Sequence, residues 1–144
     1  MVKKVLIIGI ILIVLFFSNV GCTSVSNLTY SEVAIENLNK NVVKFITDHK
    51  GSNGVYIFNN SEKEIYLFLN NKNIKQGDKA AFYEDVRIEE KGDTIAISFD
   101  EHYTSDYNNI VENKLIYRIR KNKDFEYIKV YKNGEETYID VVGS

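Results

Sequence analysis

The 144-residue chain has no proline and no tryptophan, one cysteine, one methionine and two histidines. A single cysteine excludes an intramolecular disulfide framework, so any fold must be held by its core. Two histidines leave little material for a histidine-rich metal centre. The formal net charge is −2 with 26% charged residues, which excludes the basic stripe expected of a nucleic-acid binder. The length suits one domain and is short for two. No G-x-S-x-G, H-E-x-x-H, P-loop or G-x-G-x-x-G run occurs, so no signature of a serine hydrolase, zinc protease or nucleotide site is present. The expectation is a chain that is not an enzyme and takes no cofactor. What it has in quantity is tyrosine, ten residues in all.

The amino terminus reads Met1-Val2-Lys3-Lys4, then an apolar run from Val5 to Phe17, then Ser18-Asn19-Val20-Gly21-Cys22. A basic start, a short apolar run and a small-residue end form the three-part layout of an export signal. A permanent membrane span is the weaker reading. At about 1.5 Å per residue the run covers roughly 20 Å of a hydrocarbon core of about 30 Å. Val20-Gly21-Cys22 resembles the lipobox of bacterial lipoproteins, with Asn19 where that family usually has leucine. The resemblance implies a diacylglycerol on the Cys22 sulfur and cleavage before it. Residues 1–21 are then the lipoprotein signal peptide and 22–30 a lipidated tether, with residues 31–144 a single domain. The alternatives are a plain secreted protein with a lone thiol and an uncleaved N-terminal anchor on a structural envelope protein. Two acyl chains hold firmly where one holds marginally, which places the protein at the cell membrane on the extracytoplasmic side. All 20 acidic residues follow Cys22, whereas two of the 18 basic ones, Lys3 and Lys4, precede it, leaving the exported part at a formal −4.

Ser31 begins a helical pattern in which Val33, Leu38, Val42, Phe45 and Ile46 share a face, and Gly51-Ser52-Asn53-Gly54 ends it. The spacing predicts one amphipathic helix over 31–49, with Ser31 as N-cap and His49 beside its last carbonyls. From Val55 the period becomes two. Seven short strands are expected at 55–58, 64–69, 81–89, 94–100, 115–120, 127–131 and 137–142. Asn133-Gly134 marks the hairpin between the last two. The fold class is therefore α+β, one helix followed by an antiparallel sheet that curls toward a barrel or sandwich. Ile95, Ile97, Phe99, Leu115, Tyr117 and Ile119 should face the core, with Tyr127 and Tyr131 facing outward.

Three clusters are candidates for chemistry. Residues 100–109, Asp-Glu-His-Tyr-Thr-Ser-Asp-Tyr-Asn-Asn, offer oxygen ligands and His102 to a cation, the basis for a rival reading as a small metal-dependent hydrolase. The plainer reading is a solvated loop. Glu89, Glu90 and Asp93 crowd a predicted turn and read as surface charge, since acid/base pairs need burial. Tyr56, Tyr66, Tyr83, Tyr127, Tyr131 and Tyr138 lie opposite aliphatic positions in their strands. With Arg118, Lys129 and Asp140 they suggest a binding surface centred on Tyr56, Tyr66, Tyr127 and Tyr131 for an envelope protein, peptide or glycan. The bland alternative is tyrosine's strand propensity.

The order Gly54–Phe58, Tyr66–Leu69, Tyr83–Ile88, Thr94–Ser98 and Leu115–Ile119 is similar to the C-terminal domain of PrcB-like protease-complex subunits. Ala80-Ala81-Phe82-Tyr83 stands where that family carries Thr-Gly-Gly-Tyr. The resemblance covers roughly residues 54–131 and implies a small β-rich extracytoplasmic accessory domain without transferring an activity.

Overall fold

The structure, a computed structural model, describes residues 27–106 and 112–144. The expected signal peptide, Cys22 and most of the expected tether lie outside these residues, as do Tyr107, Asn108 and Asn109. Nine strands and one α-helix are present among the described residues.

The sequence from Gly54 to Asn70 dictates the architecture. Strands β2 (Gly54–Ser61) and β3 (Glu64–Asn70) carry the runs Val55-Tyr56-Ile57-Phe58 and Ile65-Tyr66-Leu67-Phe68-Leu69, every residue of which is buried. Successive strand side chains point to opposite faces, so a sheet with no polar positions must be covered on both sides. On one side lies helix α1 (Lys40–His49), whose Val42, Phe45 and Ile46 pack onto Tyr56, Phe58, Tyr66, Phe68 and Ile116. On the other, Val55, Ile57, Ile65, Leu67 and Leu69 meet the second sheet. The molecule is three layers: helix, sheet, sheet.

The first sheet has the order β1-β6-β3-β2-β9, with β1 at Leu28–Glu32, β6 at Lys114–Lys121 and β9 at Val141–Gly143. The second has the order β4-β5-β7-β8, with β4 at Ala80–Lys91, β5 at Thr94–Thr104, β7 at Tyr127–Lys132 and β8 at Glu135–Thr137. Ile95, Ile97, Phe99 and Val130 of the second sheet close the inter-sheet core against Leu115 and Ile119. The α+β, β-rich expectation holds, and the two sheets remain separate, so no barrel closes. The chain is not wholly antiparallel: β2–β9 and β5–β7 are parallel pairs.

The helix is shorter than its spacing predicts. Ser31 lies in β1, paired with Arg118 of β6, and Val33 N–H donates to Ile116 O at 2.9 Å. An unpaired β6 edge offers this segment a ladder of backbone hydrogen bonds, and that tertiary demand overrides the helical period. Leu28–Tyr30, expected in the tether, are part of the same strand. Val33, Ile35 and Leu38 still pack on the α1 side of the sheet, through a 3₁₀ turn at Ile35–Asn37. The true N-cap is Asn39, whose side chain accepts from Asn41 N–H and Val42 N–H at 3.0 and 3.1 Å.

The segment expected as one strand over 137–142 is split. Asn133 (φ 52°) and Gly134 (φ 82°) make the tight turn that folds β8 onto β7. The chain then leaves the second sheet and adds β9 to the edge of the first. Asp140 fastens this crossing: its N–H donates to Val55 O at 2.8 Å and its carboxylate accepts Val55 N–H at 2.7 Å. Gly54 makes room for that carboxylate, since a Cβ there would lie 2.4 Å from Asp140 Oδ2.

Candidate functional site

The two ends of the sandwich differ. At one end Asn27 N–H and Nδ2 donate to Glu90 at 3.3 and 3.4 Å, and Lys123 pairs with Glu90 at 2.7 Å. Asn122 N–H donates to Asn27 O at 2.8 Å and Lys121 N–H to Lys63 O at 2.9 Å. The start of β1, the β2–β3 turn and the β4–β5 turn therefore meet where the chain enters the domain. Glu89, Glu90 and Asp93 belong to this end.

At the opposite end the sheets part, and two adjoining hollows of about 350 and 190 Å³ share Asn53, Asn71 and Glu101 in their walls. Strand parity explains why Glu101 is there. It shares a face with Ile95, Ile97 and Phe99, and it projects into the inter-sheet space just beyond the core. Asn71 Nδ2 donates to it at 2.9 Å, the Tyr103 hydroxyl donates to its other oxygen, and Lys132 Nζ lies at 3.5 Å. Burial on its own would raise the Glu101 carboxyl. The hydrogen bonds from Tyr103 and Asn71 and the Lys132 ammonium outweigh it and hold the group below the usual glutamate range. The folded state therefore prefers the carboxylate. The stability this contributes is present above the unfolded value and is lost as pH falls through the folded one. Acid unfolding should begin below about pH 5, and Glu101→Gln should flatten that limb while lowering stability at neutral pH. Equilibrium urea unfolding at a series of pH values reads this directly. Glu64, held low against its own burial by Tyr66, Arg120 and Arg118, gives the remaining slope the same sign.

Tyr83 forms the floor beside Glu101. Its ring is 3% exposed and meets Phe99 edge-on at 5.3 Å. Its hydroxyl takes no hydrogen-bond partner among the described residues, and it lines the smaller hollow together with Asp140. Burial pushes the phenol well above its ordinary range, with the Glu101 and Asp140 charges adding to the effect, so the group stays O–H. Two exposed tyrosines rim the opening, Tyr103 at 59% and Tyr138 at 74%.

The tyrosines singled out by sequence do not form one surface. Tyr56 and Tyr66 are buried beneath α1, a correction to their place on an open binding face. Both faces of the first sheet are covered, and the strand face opposite the aliphatics is core as well. The Tyr56 hydroxyl donates to Ser52 O at 3.0 Å; that of Tyr66 donates to Glu64 at 3.0 Å and accepts from Arg118 Nε at 2.9 Å. Arg118 is spent on this network. Tyr127, 53% exposed, and the half-buried Tyr131 do lie on the outer face of the second sheet, beside the Lys129–Glu136 pair at 3.1 Å. Tyr83, Tyr138 and Asp140 belong to the cleft instead.

The described part of the 100–109 cluster is strand rather than loop up to Thr104. Alternation sends Glu101 inward and His102 outward, where it faces Glu84 at 3.5 Å, so the two cannot converge on one ion. Among the described residues no group of three metal-ligating side chains forms. His49 sits at the helix end as its position suggested, with Nδ1 donating to Phe45 O at 2.8 Å and its ring against Phe45 and Tyr56.

Sequence reasoning missed Glu101, Asn71, Asn53 and Lys132 as a group, and it placed Tyr83 on the wrong face. Glu101 was missed because the polar run around it reads as a loop, whereas β5 continues to Thr104. For Tyr83 the cause is a β-bulge. Glu84 pairs with Asp100 and Arg87 with Ser98, so Asp85 and Val86 together oppose Phe99, and Asp85 has φ 50°. One extra residue reverses the parity of everything before it. Tyr83 thereby joins Val86 and Ile88 on the inner face, where simple alternation opposes them. Among the described residues no helix is long and apolar enough to cross a membrane. No family model, no curated protein and no solved structure matches the chain.

Proposed function

We propose that the protein is a lipid-anchored extracytoplasmic binding module, held by a diacylglycerol on Cys22 and presenting the polar cleft away from the membrane. The observation that carries this reading is the opposition of the two ends. Cys22 precedes Asn27 closely, and an extended chain spans at most about 3.5 Å per residue, so Asn27 marks the membrane-proximal end. From Thr94 at that end to Glu101 in the cleft, β5 rises about 3.3 Å per residue, roughly 23 Å in all. The reading is of a non-catalytic module. Glu101 is held ionised by its donors, which disfavours a general-acid role for it.

The orientation is testable by energy transfer. A chain acylated at Cys22 has no other thiol, so Lys91→Cys and Tyr138→Cys each give one labelling position, at the near and far ends. On vesicles doped with an acceptor lipid, the label at 91 should be strongly quenched and the label at 138 weakly. Equal quenching, or the reverse order, contradicts the arrangement.

A further inference from the structure

The cleft holds one group that the fold itself does not use. A buried polar group is ordinarily satisfied within the protein or by water. The Tyr83 ring is buried and its hydroxyl makes no hydrogen bond among the described residues. Since no fully buried side-chain polar atom there lacks a partner, this hydroxyl opens onto the hollow it lines with Glu101 and Asp140. We propose that this end of the sandwich is a subsite for a neutral, hydroxyl-rich ligand of the carbohydrate class, with Tyr83 donating to or accepting from one ligand hydroxyl. The inference rests on the reading of the domain as a binding module and names the ligand class of that same cleft.

Charge decides against the simpler ions. The Glu101 carboxylate is already met by Tyr103, Asn71 and Lys132, and Asp140 by Val55 N–H. A cation therefore finds its counter-charge partly taken, while an anion meets two carboxylates in the wall. A hydroxyl suits such a place because it donates and accepts at once. Glu101 keeps lone pairs beyond those its partners occupy, Tyr83 offers an O–H, and Lys132 offers further donors a short distance away. A pyranose needs that mixture along one edge. It also needs flat apolar surface for its C–H faces, and the exposed rings of Tyr103 and Tyr138 provide this at the rim, as rigid amphipathic area. The hollow that Tyr83 lines, about 190 Å³, suits a single sugar ring, and the adjoining one of about 350 Å³, at the small end of ligand clefts, would take the next ring past Glu101.

The test uses the full acylated chain in detergent micelles, with saturation-transfer NMR of cellobiose, maltose and N,N′-diacetylchitobiose, and butylamine and acetate as charged probes. At least one disaccharide should give a saturable signal. Tyr83→Phe should weaken it about five-fold, the value of one neutral hydrogen bond. The thermal midpoint of that variant should be unchanged or higher, because the lost hydroxyl had no protein partner. Tyr127→Ala, on the outer face of the second sheet, should leave binding unaltered. Saturation by butylamine or acetate without the sugars overturns the proposal. So does a sugar signal indifferent to Tyr83→Phe, and so does the absence of any sugar signal. Membrane sedimentation of the same preparation is read in parallel, so loss of sugar binding with the anchor intact refutes the ligand class and leaves the anchored module standing.

Discussion

Phe68→Ala and Leu67→Ala should each destabilise the domain by about 3–5 kcal/mol, although the two side chains point in opposite directions. Leu67 is fully buried between the sheets, and Phe68, 1% exposed, is buried beneath α1 with its ring stacked 5.5 Å from that of Tyr56. Each truncation removes apolar contacts and leaves a cavity that packed neighbours fill only partly. Domains of this size have a net stability of about 5–15 kcal/mol, so either variant forfeits a large share. Urea unfolding followed by tyrosine fluorescence, free here of tryptophan, checks both. In an ordinary two-layer sandwich with a solvated outer face, one of the neighbours is exposed and its truncation is nearly neutral. A loss below about 0.5 kcal/mol for Phe68→Ala, within the range of surface substitutions, contradicts the helix layer.

Much of this was legible from the chain. The central strands announced themselves through period and turn residues, and Asn133-Gly134 forms the tight turn its sequence requires. The runs Val55–Phe58 and Ile65–Leu69 carried the decisive clue, because strands with no polar alternation belong to a sheet covered on both faces. Reading their tyrosines as an outward face overlooked that. Three features were illegible for physical reasons. β1 exists because β6 needs an edge partner, a demand set by residues almost a hundred positions away. The crossing at Asp140 depends on a side chain bonding the backbone of Val55, which no local pattern signals. The bulge at Asp85 and Val86 has no strong sequence mark, since Asp85 adopts positive φ without being glycine. Two errors hid the cleft: the parity slip at that point turned Tyr83 outward, and ending the β5 pattern at Asp100 left Glu101 in what read as a loop.

The anchor carries the second large effect. Lipid burial contributes about 0.8 kcal/mol per CH₂, so two chains on one sulfur make membrane attachment effectively complete and their loss abolishes it. The part of the chain after Cys22 has a formal −4 and no electrostatic pull toward an anionic leaflet to substitute for it. The domain presents no span among its described residues either. On the proposed reading, attachment depends on one atom, the sulfur of Cys22.

The direct measurement compares the chain with its Cys22→Ser variant in the native host, by membrane sedimentation, metabolic labelling with palmitate and intact mass. The native product should pellet with membranes, carry label, and have the mass of residues 22–144 plus a diacylglyceryl group. The variant should carry no label, and the species of native mass should vanish from the membrane fraction. A variant that pellets at the native mass would refute the lipid anchor, and with it the outward-facing cleft.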